Sequence, residues 1–155
     1  MSSTDDLTFM EAALEEARLA AEEDEVPVGA VIVIGGEVVA RAHDRKEQTG
    51  DPTAHAELLA LRDAAKEVGS WRLENAVCYV TLEPCPMCAG AMIQARIQKV
   101  VYGAPNLKAG AAGTLVSLFD VEGFNHHVEV EGGVMKDACA AILSEYFQNK
   151  RRKND

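Results

Sequence analysis

The stretch AVCYVTLEPCPMCAGAMIQARIQKVVYGA, residues 76–104, reads as strand, helix, strand. Residues 76–82 alternate and are rich in β-formers, residues 86–97 have helix formers throughout, and KVVYGA at 99–104 is a second strand. Two strands joined through one helix favour a parallel pair, because a tight hairpin returns the chain antiparallel.

Upstream, AHAELLALRDAAKEV (54–68) predicts a helix ending near Gly69, with Thr53 as its expected cap. Before it, HDRKEQTGDPT (43–53) is polar, contains Gly50 and Pro52, and reads as a loop. VPVGAVIVI (26–34), a Gly pair and EVVARA (37–42) read as a hairpin. Leu7, Met10, Ala13, Leu14, Ala17 and Ala20 recur at helical spacing, so residues 5–22 form an amphipathic helix with its acids in solvent. Downstream come a Gly-rich loop at 105–114, a short strand at 126–131 and a closing helix at 134–153. The whole is one α/β domain over residues 1–155, a sheet of mixed direction with helices on its faces. A basic tail lies at about 149–155.

Hydrophobic residues make up 48% of the 155 and charged residues 26%, ordinary for a chain that buries one core without staples. The first residues carry acids where a secretory signal carries a basic region, and no apolar run reaches the roughly 18 residues of a membrane span. A cytoplasmic protein with no membrane partner is expected, its four cysteines reduced rather than paired. A net charge of -10 argues against broad electrostatic binding of nucleic acid. NKRRK at 149–153 is the local exception, read either as a contact for nucleic acid or as a solvated complement to a helix C-terminus.

His55 and Glu57 in TAHAE open one helix, and Cys85 and Cys88 in PCPMC open the next. If the two helix starts meet on one side of the sheet, His55, Cys85 and Cys88 offer three zinc ligands of suitable softness. Three protein ligands leave a fourth position for water, the mark of a catalytic rather than a closed site. Two thiolates offset the charge of the ion, so a base is useful, and Glu57 is placed to carry the proton. The alternative for CxxC is a dithiol redox pair, and a non-enzymatic zinc scaffold would have no need of Glu57. Cys78 and Cys139 read as small buried hydrophobes, and His43, His126 and His127 as loop or strand-edge residues.

DPTAHAE, YVTLEPCPMCAGAM, VVYGA, GAAGTL and FNHHVEV together resemble, along nearly the whole chain, the bacterial tRNA adenosine deaminases of the cytidine-deaminase superfamily. The resemblance implies a three-layer α/β/α fold around a mixed five-stranded sheet, one zinc ion per subunit, and a homodimer. It implies conversion of adenosine to inosine at the wobble position of a tRNA anticodon stem-loop, with release of ammonia and Glu57 as proton carrier. By position, Val26 and Pro27 wall the substrate pocket, the backbone at Ala56 and Glu83 orients the base, and Phe147 approaches the flipped nucleotides. Lys150, Arg151, Arg152 and Lys153 then contact RNA.

Two positions depart from the pattern: Asp44 stands where the family usually has Asn, and Asn106 where it usually has Asp. An Asn amide donates to a purine acceptor and an ionised Asp cannot, so both residues enter the expected substrate-binding set. A one-residue shift in a tolerant loop is the plainer account. The exchange also keeps open a second activity on the same scaffold, deamination of a free nucleobase or small aminopurine.

Overall fold

The computed structural model describes residues 4–154. Its sheet has the strand order β2-β1-β3-β4-β5, formed by β1 (Gly29–Ile34), β2 (Glu37–His43), β3 (Ala76–Leu82), β4 (Lys99–Ala104) and β5 (Glu129–Glu131). β1 runs antiparallel to both β2 and β3, whereas β4 is parallel to both β3 and β5. Helix α4 (Pro86–Ala95) connects β3 to β4, which is the expected crossover.

Helices α1 (Thr4–Glu22) and α5 (Lys136–Asn154) cover one face of the sheet, and α3 (Ala56–Val68) and α4 cover the other. Alternation along the strands divides the core accordingly. Val31, Tyr79 and Val101 meet Met10 and Leu14 on one side, while Ile32, Val80 and Val100 meet Ala60, Leu61 and Met92 on the other. Small residues set the closeness of the layers. A Cβ at Gly29 would stand 2.0 Å from the Ala13 carbonyl oxygen, so the α1 backbone rests directly on β1. On the opposite face Ala56, Ala60 and Ala64 recur every fourth residue and are fully buried.

Several boundaries differ from expectation. Residues 26–28 precede the strand, and the Val28 N–H turns back to the Val26 carbonyl at 2.8 Å, around a Pro27 that has no N–H for a ladder. Leu7, counted in the apolar stripe of α1, is 45% exposed. The expected loop at 43–53 contains a short helix, α2 (Lys46–Thr49), closed by Gly50 in the left-handed region at φ 66°. Thr53 does not cap α3: its N–H and hydroxyl both go to Asp51 Oδ1, and the helix starts at Ala56 with His55 in the cap position. α4 stops at Ala95 because Arg96 takes φ 59°, which lets Ile97 turn into the core. The strand expected at 126–131 spans only Glu129–Glu131. The closing helix starts at Lys136 rather than at 134, and it carries the basic stretch through Asn154.

Candidate metal and substrate site

The starts of α3 and α4 converge beside the C-terminal end of β3. His55 and Cys85 occupy the cap positions of the two helices, with extended backbone at ψ 149° and 172°. Pro86 at the first turn of α4 suits a position that has no helical acceptor. His55 Nδ1 stands 3.6 Å from Cys85 Sγ and 3.5 Å from Cys88 Sγ. Among the described residues these three form the one group of metal-ligating side chains whose donor atoms all lie within 4.8 Å of one another. A tetrahedral ion with zinc–sulfur near 2.3 Å and zinc–nitrogen near 2.0 Å would hold such a nitrogen and sulfur about 3.5 Å apart, so the donor set fits zinc. The hydrogen bond from Cys88, and then that from His55, holds the Cys85 thiol far below its ordinary range, at about 4. A thiolate is the form that ligates a metal, and the positive ends of two helices favour it.

Glu57, on the first turn of α3, is 4% exposed. Burial, and then the negative charge of Asp44, push its carboxyl up to about 8. Beneath it Cys78 is fully buried, and burial keeps its thiol protonated. Asp44 is 4% exposed and accepts the Ala56 N–H through Oδ1 at 2.7 Å, so the end of β2 is tied to the start of α3. Burial pushes the Asp44 carboxyl above its ordinary value, against the hydrogen bond from Ala56.

His55, Glu57 and Cys85 lie in a cavity of about 480 Å³, a size typical of small-molecule sites. Val26, Val28 and Leu82 form one apolar wall, and Leu143 and Phe147 of α5 form another. Asp44, Asn106 and Glu83 also reach it. Of the residues expected at this place, Pro27 and Ala56 are buried behind the lining rather than in it. The Ala56 N–H is already taken by Asp44, and the Glu83 N–H by the Ala104 carbonyl at 2.8 Å, so each of these two donors has a partner within the protein.

The Glu83 side chain has a different task. Its carboxylate accepts the N–H groups of Asn106 (3.1 Å), Ala112 (2.8 Å) and Thr114 (3.2 Å) and the Thr114 hydroxyl, pinning the loop at 105–114 over the cavity. Burial works to raise its pKa, but these four bonds outweigh it and leave the carboxyl below its ordinary value. Asn106 Oδ1 accepts the N–H groups of Lys108 and Ala109 in the same loop. Both departures from the family pattern thus act as acceptors of backbone N–H groups, which Asn and Asp can do equally.

Lys46, Lys108 and Leu143 also line the cavity, and the sequence did not single them out. Leu143, Phe147 and Arg151 share a helical spacing of four, so the apolar wall runs on into an exposed cation. Arg152 and Lys153 are exposed too, whereas Lys150 is drawn aside to the Tyr146 hydroxyl at 3.2 Å. His126 is held by the Ile97 carbonyl at 2.7 Å, and His43 by Glu16 and Glu23, away from the sulfur ligands.

A family model for MafB19-like deaminases matches residues 4–151. A Bacillus subtilis protein described as a tRNA-specific adenosine deaminase is 50% identical over 150 residues, covering 97% of this chain and 93% of its own. A structure from work on A-to-I editing by tRNA A34 deaminases is 46% identical with a TM-score of 0.85, over 88% of this chain and 99% of its own. A protein solved in complex with 2,6-diaminopurine is 26% identical with a TM-score of 0.77, over 91% of this chain and 80% of its own.

Proposed function

The chain belongs to the MafB19-like deaminase family, and on that premise we propose that it hydrolyses adenosine to inosine at the wobble position of a tRNA anticodon, releasing ammonia. The observation that carries this reading is the His55, Cys85 and Cys88 triplet with the buried carboxyl of Glu57 beside it, at the base of a cavity walled by α5. His55, Cys85 and Cys88 hold one zinc ion. When bound, its contribution is to acidify a water molecule, so that a nucleophile is at hand near neutral pH. Glu57 would carry one proton of the attacking water to the ring nitrogen next to C6 and then the second to the departing amine as the C6–N bond breaks, the course general to zinc nucleobase deaminases. Oxygen from water replaces nitrogen at C6, and inosine and ammonia are the products.

Val26, Val28, Leu82 and Phe147 clasp an extruded base, and apolar contact on both faces replaces the stacking it leaves. Lys46 and Lys108 line the cavity of a protein whose net charge is -10, and exposed Arg151 extends the α5 row of Leu143 and Phe147, so attraction for phosphates is local to this side. A homodimer in the cytoplasm completes the reading; exposed Leu115 and Val116 are apolar area that a second copy would cover. No helix among the described residues is long and apolar enough to cross a membrane.

A second reading, deamination of a free aminopurine, is favoured by Asp44. Its Oδ1 is engaged by Ala56, and its other oxygen is an acceptor where a purine amino group could donate. Ammonia release by the zinc-loaded protein separates the two. Turnover of an anticodon stem-loop bearing a wobble adenosine, without turnover of free bases, is the expected result. Turnover of free purines alone would overturn the tRNA reading.

A further inference from the structure

Three consecutive acids, Glu23, Asp24 and Glu25, form the turn between α1 and β1, and the proposed chemistry uses none of them. Glu25 is 1% exposed. Its Oε1 accepts the Glu47 N–H at 3.0 Å and its Oε2 accepts the Gln48 N–H at 2.8 Å, so its whole carboxylate is given to the start of α2. A helix of four residues cannot hold itself in water, because nucleation costs more than one turn returns. It stands here because its free N–H groups meet a buried carboxylate.

The placement matters to the cavity. Asp44 and Lys46, at the entrance to α2, both line it. At the strand side the segment is tied by the Asp44 N–H to the Val28 carbonyl at 3.2 Å, the Arg45 N–H to the Ala54 carbonyl at 3.0 Å and the Ala56 N–H to Asp44 Oδ1 at 2.7 Å. Glu23 adds bonds from His43 Nε2 and Gln48 Nε2 at 2.6 and 3.4 Å, but from the surface. The same turn reaches the opposite wall, since the Tyr146 hydroxyl donates to the Asp24 carbonyl at 3.2 Å and Tyr146 precedes Phe147.

We propose that Glu25 is a positioning residue of the substrate cavity, holding α2 so that Asp44 and Lys46 stand in the cavity wall. The proposal rests on the reading that this cavity receives the substrate. It touches neither metal ligands nor Glu57, so its loss should weaken substrate binding and leave metal loading alone.

The test uses the full-length, zinc-loaded protein as wild type, Glu25→Ala and Glu25→Gln. Zinc content, KM and kcat on the anticodon stem-loop, and amide hydrogen exchange at Ala56, the reporter of Asp44, are measured. Glu25→Ala is expected to keep its zinc and to raise KM about fivefold or more with kcat within about twofold. Its Ala56 amide should exchange at least about tenfold faster. Glu25→Gln, which keeps one oxygen, should fall between, and it decides the question if the Ala variant does not fold. Exchange at Ala56 that stays at the wild-type rate overturns the proposal, as does an unchanged KM. Loss of zinc, or a fall in kcat without a rise in KM, also overturns it. A wild type inactive on the stem-loop would instead sink the tRNA reading, and Ala56 exchange would still decide the role of Glu25.

Discussion

Asp44 and Ala56 are joined by a 2.7 Å hydrogen bond from the Ala56 N–H to Asp44 Oδ1, across twelve residues of chain and with both partners buried. That bond satisfies the start of α3, where His55 sits in the cap position but turns its ring to the cysteines and caps nothing. The helix that carries Glu57 is therefore anchored by a residue from the end of a strand.

Asp44→Ala should cost about 1–3 kcal/mol in urea unfolding, the usual range for orphaning a buried N–H. Asp44→Asn keeps an oxygen for Ala56 and removes a buried charge facing Glu57, so it should be as stable as the wild type or more so at pH 7. An Asn variant as unstable as the Ala variant would mean that charge, not the acceptor, holds this junction.

Glu57→Gln should retain one zinc per chain by metal analysis and lose turnover by about 10²–10⁴, the range for a general acid–base group. Cys88→Ala should lose both metal and turnover, because a ligand is gone. Turnover surviving in Glu57→Gln would remove the proton-carrier role.

Arg151 continues the helical row that begins with Leu143 and Phe147 in the cavity wall. Arg151→Glu should lower kcat/KM on the stem-loop about tenfold at low salt, with a smaller loss at high salt as the ions screen the contact. Activity on a free nucleobase, if any is found, should be unaffected. Equal loss on both substrates would place the residue in the fold rather than at the RNA.

His43 lies between Glu16 at 2.9 Å and Glu23 at 2.6 Å. Burial works to lower its pKa, but bonds to the two carboxylates outweigh it and leave the value raised above 6.5. A histidine whose folded pKa is raised adds stability that is complete below its unfolded value and is lost as pH rises through the folded one. His43→Gln should therefore cost about 1 kcal/mol at pH 6. The difference from wild type should shrink toward pH 9 in thermal or urea unfolding. A cost that grows with pH would show that the neutral ring is the stabilising form.

Local patterns settled a good part of this molecule in advance. Residues 76–104 favoured a parallel pair, because a helix of ten residues rather than a tight turn joins the two strands. Ligand chemistry was legible as well: His55, Cys85 and Cys88 are soft donors at helix starts, and Glu57 is an acid on the same turn. What could not be read was anything depending on which distant groups meet. Glu25 and Gln48, 23 residues apart, decide that a polar loop contains a helix whose own propensity is too weak to form it. Glu83 lines the cavity as expected, but its side chain also anchors loop 105–114, a task set by three N–H groups up to 31 residues away. Pro27 follows a candidate wall residue in sequence, but a turn at Val28 sends it behind the lining. Sequence determined the elements and the chemical types of the site, because periodicity and ligand character are local. Tertiary structure decided which carboxylates face the cavity and which hold its walls, because a buried acid is assigned by the donors that reach it.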